Sequence, residues 1–174
     1  MTLADRVGAV LDAAGVSHAV IGAAALAAAG VVRSTLDLDL LTLDARVLDR
    51  PFWDVLRSAG VDVDVRRGDA DDPLAGVVRA SMSAERPVDL IVGRHAWQVR
   101  AIERARTLAS GMRVVLPRDV VLLKLYAGGA QDLWDVKQLL VALDGTPLVS
   151  QVEEELSDLP AEAANLWTTV RRGG

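Results

Sequence analysis

The sequence predicts an α+β domain: a small mixed β-sheet with flanking helices and a C-terminal helical segment. Short runs with strand-like alternation gather in the first half of the chain, and longer segments with helical periodicity fill the second. Gly, Pro and Asp clusters separate these segments, and no internal repeat or low-complexity linker interrupts them. The 174 residues therefore read as one domain, with a sheet-bearing core over about 1–116 and a helical tail over about 117–170.

The elements follow in order. Thr2 caps a first helix whose Leu3, Val7, Val10, Leu11 and Ala14 share a face, and Gly15 ends it. Residues 17–21 form a short strand, and Gly22 turns it into a short alanine helix over 24–29, stopped by Gly30. Residues 36–41 alternate as a strand, with Leu36, Leu38 and Leu40 directed to the core. The later part of 44–59 is helical, with Pro51 in its first turn and Phe52, Trp53 and Leu56 facing inward. Strands follow at 61–67, 75–81 and 87–92, with an acidic loop at 68–73. A helix over 94–109 precedes a short strand at 113–116. Helices then run over 117–127 and 131–143, hinged at Gly128-Gly129, and one or two more fill 148–170. Residues 171–174 read as frayed.

Composition narrows the function. The net charge of −5 argues against bulk DNA binding, which depends on neutralising phosphates. With no cysteine, disulfides and thiolate metal sites are excluded. The first 15 residues lack the pattern of a signal peptide, and the longest apolar run, 23–29, is too short to cross a bilayer, so a cytoplasmic location is the expectation. His18 and His95 are isolated, and the acidic loop lacks the glycine and glutamate of a calcium-binding loop. Trp53, Trp97, Trp134 and Trp167 fall at helical positions and read as core or interface anchors.

The chemistry concentrates in Arg33-Ser34-Thr35-Leu36-Asp37-Leu38-Asp39. On a strand, residues i and i+2 share a face roughly 6–7 Å apart. Asp37 and Asp39 can then share a pair of Mg²⁺ ions held about 4 Å apart. Asp89 is the candidate third acid, because it lies in an apolar strand where an unpaired carboxylate is costly. The chain carries its own control: Asp62-Val63-Asp64 has the same spacing but no upstream glycine turn, and reads as a solvated face. Gly22, by contrast, opens a helix fifteen residues before Asp37. Free amides there can bind anions, and glycine lets a phosphate approach the backbone. Arg33 can add a bidentate phosphate contact, and Thr35 offers a hydroxyl beside the acids. Backbone donors next to paired carboxylates form the layout that nucleotidyl transfer needs.

These residues resemble the nucleotidyltransferases of the DNA polymerase β-like superfamily, and most closely the minimal AbiEii/AbiGii-type branch of bacterial toxin–antitoxin systems. The resemblance rests on Gly22-Ala23, on Arg33 to Asp39, and on Pro87-Val88-Asp89-Leu90-Ile91-Val92-Gly93. The stretch 72–79, the lysine helix around Lys124 and the following Asp132-x-x-Asp135 extend it to about 17–143. It implies a nucleotidyltransferase fold and an enzyme that moves an NMP from an NTP to a hydroxyl on a tRNA end or a partner protein. It implies Mg²⁺, two ions, on Asp37, Asp39 and Asp89, with those three acids as the catalytic residues. It also implies phosphate contact by Lys124, with Asp132 holding that lysine or the substrate. One departure is Ala23, where the family usually has Gly or Ser. That change leaves open a non-catalytic nucleotide-binding or regulatory relative; an antibiotic-modifying nucleotidyltransferase is a third reading.

Overall fold

The computed structural model describes residues 1–172; Gly173 and Gly174 lie outside the described residues. The strands are β1 (His18–Val20), β2 (Leu38–Thr42), β3 (Asp62–Arg67), β4 (Gly76–Ser81), β5 (Val88–Val92), β6 (Arg106–Thr107) and β7 (Arg113–Val114). They form one mixed sheet in the order β3-β4-β5-β2-β1-β7-β6. The β2–β5 and β1–β7 pairs are parallel and the rest antiparallel. The α+β expectation therefore holds.

The helices are α1 (Leu3–Ala13), α2 (Gly22–Ala28), α3 (Asp54–Ser58), α4 (Ala96–Glu103), α5 (Pro117–Ala127), α6 (Ala130–Ala142), α7 (Leu148–Glu153) and α8 (Ala161–Arg172). Thr2 and Asp5 cap α1 reciprocally, the Asp5 carboxylate accepting the Thr2 N–H at 2.7 Å and the Thr2 hydroxyl accepting the Asp5 N–H at 3.2 Å. That start fixes the face that buries Leu3, Val7 and Leu11. Helix α1 lies against β4 and β5, and α2 lies against β2 and α5. Helix α5 carries Val120, Val121, Leu122 and Leu125 into the core and packs on α6, α7 and α8. Trp53, Trp97 and Trp167 are buried, whereas Trp134 is half exposed on α6.

Three local expectations change. Leu36 is exposed, not in the core, because β2 begins only at Leu38. The Thr35 hydroxyl donates to Asp37 Oδ1 at 2.8 Å and accepts the Asp37 N–H at 3.4 Å, which makes 35–37 a turn. The helix expected over 94–109 is only Ala96–Glu103. Gln98 Oε1 accepts the N–H groups of Arg94 and His95, setting its start. At its other end Arg106 and Thr107 pair with β7, so a long-range ladder overrides local helix propensity. The segment 44–59 is helical in its later part as expected, two 3-10 turns, Ala45–Leu48 and Arg50–Trp53, leading into α3. Arg171 and Arg172, expected to fray, continue α8.

An ionic group away from the acid pair ties the helical part together. Asp119, fully buried on α5, accepts Arg104 Nε at 3.1 Å, and Arg104 also reaches Glu155 at 2.6 Å. Burial pushes the Asp119 carboxyl up, against the pull of Arg104. For Glu155, burial raises the carboxyl, but Arg104 and Arg100 outweigh it and hold the group below its ordinary value.

Candidate active site

The site is built on the parallel pair β2–β5. Their register sets Asp39 directly opposite Asp89, two strands that lie about 4.8 Å apart as sheet neighbours do. Leu38 and Leu40 fill the opposite face and are buried. On the acid face, Leu41 is fully buried while Asp39 and Asp37 are both half-buried, so this face opens toward the acids. Asp37 precedes the strand and reaches the same place through the Thr35 turn.

Gly22 explains the position of Asp39. It has φ +61°, and a Cβ built there would stand 2.1 Å from Asp39 Oδ2. The residue must be glycine for both conformation and space. The Ile21 N–H donates to the Asp39 carbonyl at 2.9 Å, which locks the bend against the acid strand. Gly22 thus makes room for a carboxylate, a reason the sequence did not disclose. Ala23 is buried in the first turn of α2, whose opening amides lack intrahelical acceptors.

The electrostatics match crowded acids. Burial pushes the Asp39 carboxyl up, and the charges of Asp37 and Asp89 push it further; Lys124 and Arg86 pull the other way. Burial likewise raises Asp89, with Arg79 opposing and Asp37 adding. Among the described residues Asp39 makes no side-chain hydrogen bond, and Asp89 Oδ1 is buried without a partner. Unmet buried acceptors are costly, and each such oxygen calls for a donor or a cation. Arg79 Nη1 meets Asp89 Oδ2 at 2.7 Å and lies 3.9 Å from Asp37 Oδ2. Among the described residues, no three acids or imidazoles stand, as they are, where they could hold a metal ion together.

A second cluster stands beside the first. Gly128, with φ +70°, ends α5 and turns the chain into α6. That turn brings Asp132 and Asp135 onto Lys124, at 2.7 and 2.8 Å. Asp132 also accepts the Gly129 N–H at 3.2 Å, so it caps α6 and holds the lysine at once. Burial pushes the Lys124 ammonium down, but the two aspartates outweigh it and raise it above its ordinary value. Arg33 pairs with Asp135 at 2.9 Å, and Gln131 adds a bond at 3.1 Å to that fully buried carboxylate. Arg33 therefore anchors the 31–37 segment to α6 in this structure instead of pointing free toward a phosphate.

The structure thus brings Gly22, Asp37, Asp39, Asp89 and Thr35 into one place, with Lys124 close enough to act on Asp39. Asp135, named in the Asp132-x-x-Asp135 motif, had been given no role, and Arg79 was the omission. Asp135 shares a helix face with Asp132 at i, i+3, a signal present in the sequence. Arg79 enters only through the β4–β5 register. A hollow of about 900 Å³ is lined by Arg46, Asp49, Phe52 and Arg67 among others and by none of Asp37, Asp39 and Asp89. The acids occupy an open sheet face.

No protein-family model matches the chain, and no curated protein is similar to it. Solved structures are. The antibiotic-resistance factor ANT(2″)-Ia in solution matches with a TM-score of 0.55 and 16% identity, over 89% of this chain and 90% of that one. The crystal structure of ANT(2″)-Ia in complex with adenylyl-2″-tobramycin gives 0.56 and 15%, over 89% and 95%. The Megavirus polyadenylate synthase reaches only 0.42 at 12% identity, over 91% of this chain and 32% of that one, too distant to argue from. Identities this low establish a shared fold: the chain has the nucleotidyltransferase fold of these structures.

Proposed function

We infer that the chain is a nucleotidyltransferase of EC 2.7.7 type that moves an NMP from an NTP to a hydroxyl acceptor, with Mg²⁺ held by Asp37, Asp39 and Asp89. One observation carries this reading: three carboxylates from two neighbouring strands and the preceding turn converge beside Gly22, and one buried oxygen, Asp89 Oδ1, has no partner among the described residues. The donor set fits the ion, since Mg²⁺ is hard and takes oxygen ligands. Bound there, divalent cations supply charge neutralisation and polarise phosphoryl oxygens.

The residues divide the remaining work. The amides of the Gly22–Ala23 bend and Lys124 hold the triphosphate, and Asp132 fixes the direction of Lys124. Thr35 orients Asp37. Arg33, through Asp135, keeps the segment leading to the acids in place. The acceptor oxygen attacks the α-phosphate in line; the new P–O bond forms as the bond to the leaving pyrophosphate breaks. Asp89 takes the proton of the acceptor hydroxyl. Positioning and charge neutralisation supply the rate, as in phosphoryl transfer generally. On the resemblance to the AbiEii/AbiGii branch, the acceptor is a tRNA end or a partner protein in a toxin–antitoxin pair.

The test is incubation with each α-labelled NTP, total tRNA and cell lysate. A labelled species that needs Mg²⁺ and disappears with Asp39→Asn supports the reading and names the acceptor. No transfer from any NTP, with no heat of ATP–Mg²⁺ binding, assigns the chain to the non-catalytic relatives. The whole-chain likeness to ANT(2″)-Ia favours one further acceptor class, an antibiotic hydroxyl, tested by resistance conferred on a sensitive host.

A further inference from the structure

Arg79 stands against two of the three acids assigned to the cations. The sheet register makes a row of charged residues across four strands: Asp64 on β3, Arg79 on β4, Asp89 on β5 and Asp39 on β2. All four side chains leave the same face of the sheet, because directly paired residues do. The Arg79 guanidinium bonds Asp89 Oδ2 at 2.7 Å and lies 3.9 Å from Asp37 Oδ2, so it stands between the two acids. Arg86, another guanidinium near this edge, touches the Thr35 carbonyl at 3.5 Å, and Arg66 is held by Asp64 at 2.7 Å. The cations of the neighbouring cluster are already matched: Lys124 and Arg33 face Asp132 and Asp135. Arg79 is therefore the cation in direct contact with Asp89 and Asp37, while Lys124 and Arg86 act on Asp39 through space.

The geometry points to Arg79 as an internal counterion that competes with the divalent cation for Asp37 and Asp89 and must swing away for the metal to bind. The inference rests on the metal-site reading above and adds to it a residue with a defined motion. Two features make the motion inexpensive. The Arg79 side chain is 45% exposed, so its charge can be taken up by water. Asp64, its partner across the β3–β4 pair, stands on the other side and offers a second carboxylate. Asp64 already holds Arg66 at 2.7 Å and has a second oxygen to share. The guanidinium thus has one acid on each flank, and cation binding at Asp89 favours the side away from the site. Before nucleotide arrives, the same pair lowers the repulsion among the acids and disfavours cations bound without substrate.

The test is direct Mn²⁺ titration of the nucleotide-free full chain, read as loss of the free-ion electron paramagnetic resonance signal, on five proteins. The parent sets the reference. Asp39→Asn checks the metal site itself. Arg79→Gln removes the counterion, Arg79→Lys keeps the charge, and Arg86→Gln removes a nearby charge that touches no acid. The inference predicts about three- to tenfold tighter Mn²⁺ binding for Arg79→Gln, the scale of one partly exposed charge-assisted pair. It predicts little change for Arg79→Lys and a clearly smaller tightening for Arg86→Gln, which acts on Asp39 only through space. Equal tightening by Arg86→Gln would reduce the effect to the general field and overturn the inference. So would unchanged binding in Arg79→Gln while Asp39→Asn abolishes it, a result that leaves the metal site standing. If Asp39→Asn binds Mn²⁺ as the parent does, the cation is not on these acids, and both readings fall.

Discussion

Asp39→Asn should make the protein more stable while removing its proposed activity. Asp39 stands about 4.8 Å across the sheet from Asp89, the usual strand spacing. At that distance two like charges repel by about 1 kcal/mol in water and about 3.5 kcal/mol at an effective dielectric constant of 20. Arg79 and Lys124 offset part of this, and no hydrogen bond to Asp39 is lost among the described residues. A net gain of about 1 kcal/mol is the scale of removing one such conflict. For a chain of this size that raises Tm by about 2–4 °C. The sign with pH follows from the raised carboxyl. A group whose pKa is raised by folding favours the folded state below its unfolded pKa, and that contribution is lost as pH rises through the folded value. The advantage of the variant must therefore be largest at neutral pH and shrink as the pH falls into the carboxylate range. Thermal unfolding at pH 7.5 and near pH 4 reads both. An unchanged or lower Tm at pH 7.5 would refute the argument that these acids are held together against their mutual repulsion.

Four further outcomes follow from the same geometry. Gly22→Ala combines a left-handed backbone with a Cβ driven into Asp39; it should cost about 2 kcal/mol in urea unfolding and remove activity. Lys124→Met leaves the fully buried Asp135 with Arg33 as its remaining cation and should cost about 3 kcal/mol, whereas Asp132→Ala, at a more open site, should cost about 1 kcal/mol. Thr35→Val frees Asp37 without emptying the core; it should lower kcat/KM about tenfold, the loss of about 1.4 kcal/mol, with Tm nearly unchanged.

How much of this was legible in the sequence depends on where each constraint resides. Helix α5 matched its expected bounds because both are set locally, by Pro117 at its start and Gly128 at its end. The expected helix over 94–109 was too long because Arg106 and Thr107 pair with residues reached only through the fold. Leu36 looked like a core position by alternation, but the Thr35–Asp37 turn delays the strand. In the site, Asp37, Asp39 and Asp89 were readable as acids in apolar surroundings, and the structure places them together. Arg79 was not readable, since nothing local says that β4 pairs with β5 in the register that sets Arg79 beside Asp89. The role of Gly22 lay equally out of reach, because the atom it must avoid belongs to Asp39.

The central claim is that Asp37, Asp39 and Asp89 together hold the metal beside the Gly22 bend. Crystals grown with Mn²⁺ and a non-hydrolysable NTP analogue test it most directly, through the anomalous signal of manganese. The account predicts peaks in contact with all three carboxylates and a triphosphate running from them to Gly22 and Lys124. Manganese bound elsewhere, or a nucleotide seated away from the acids, would contradict it.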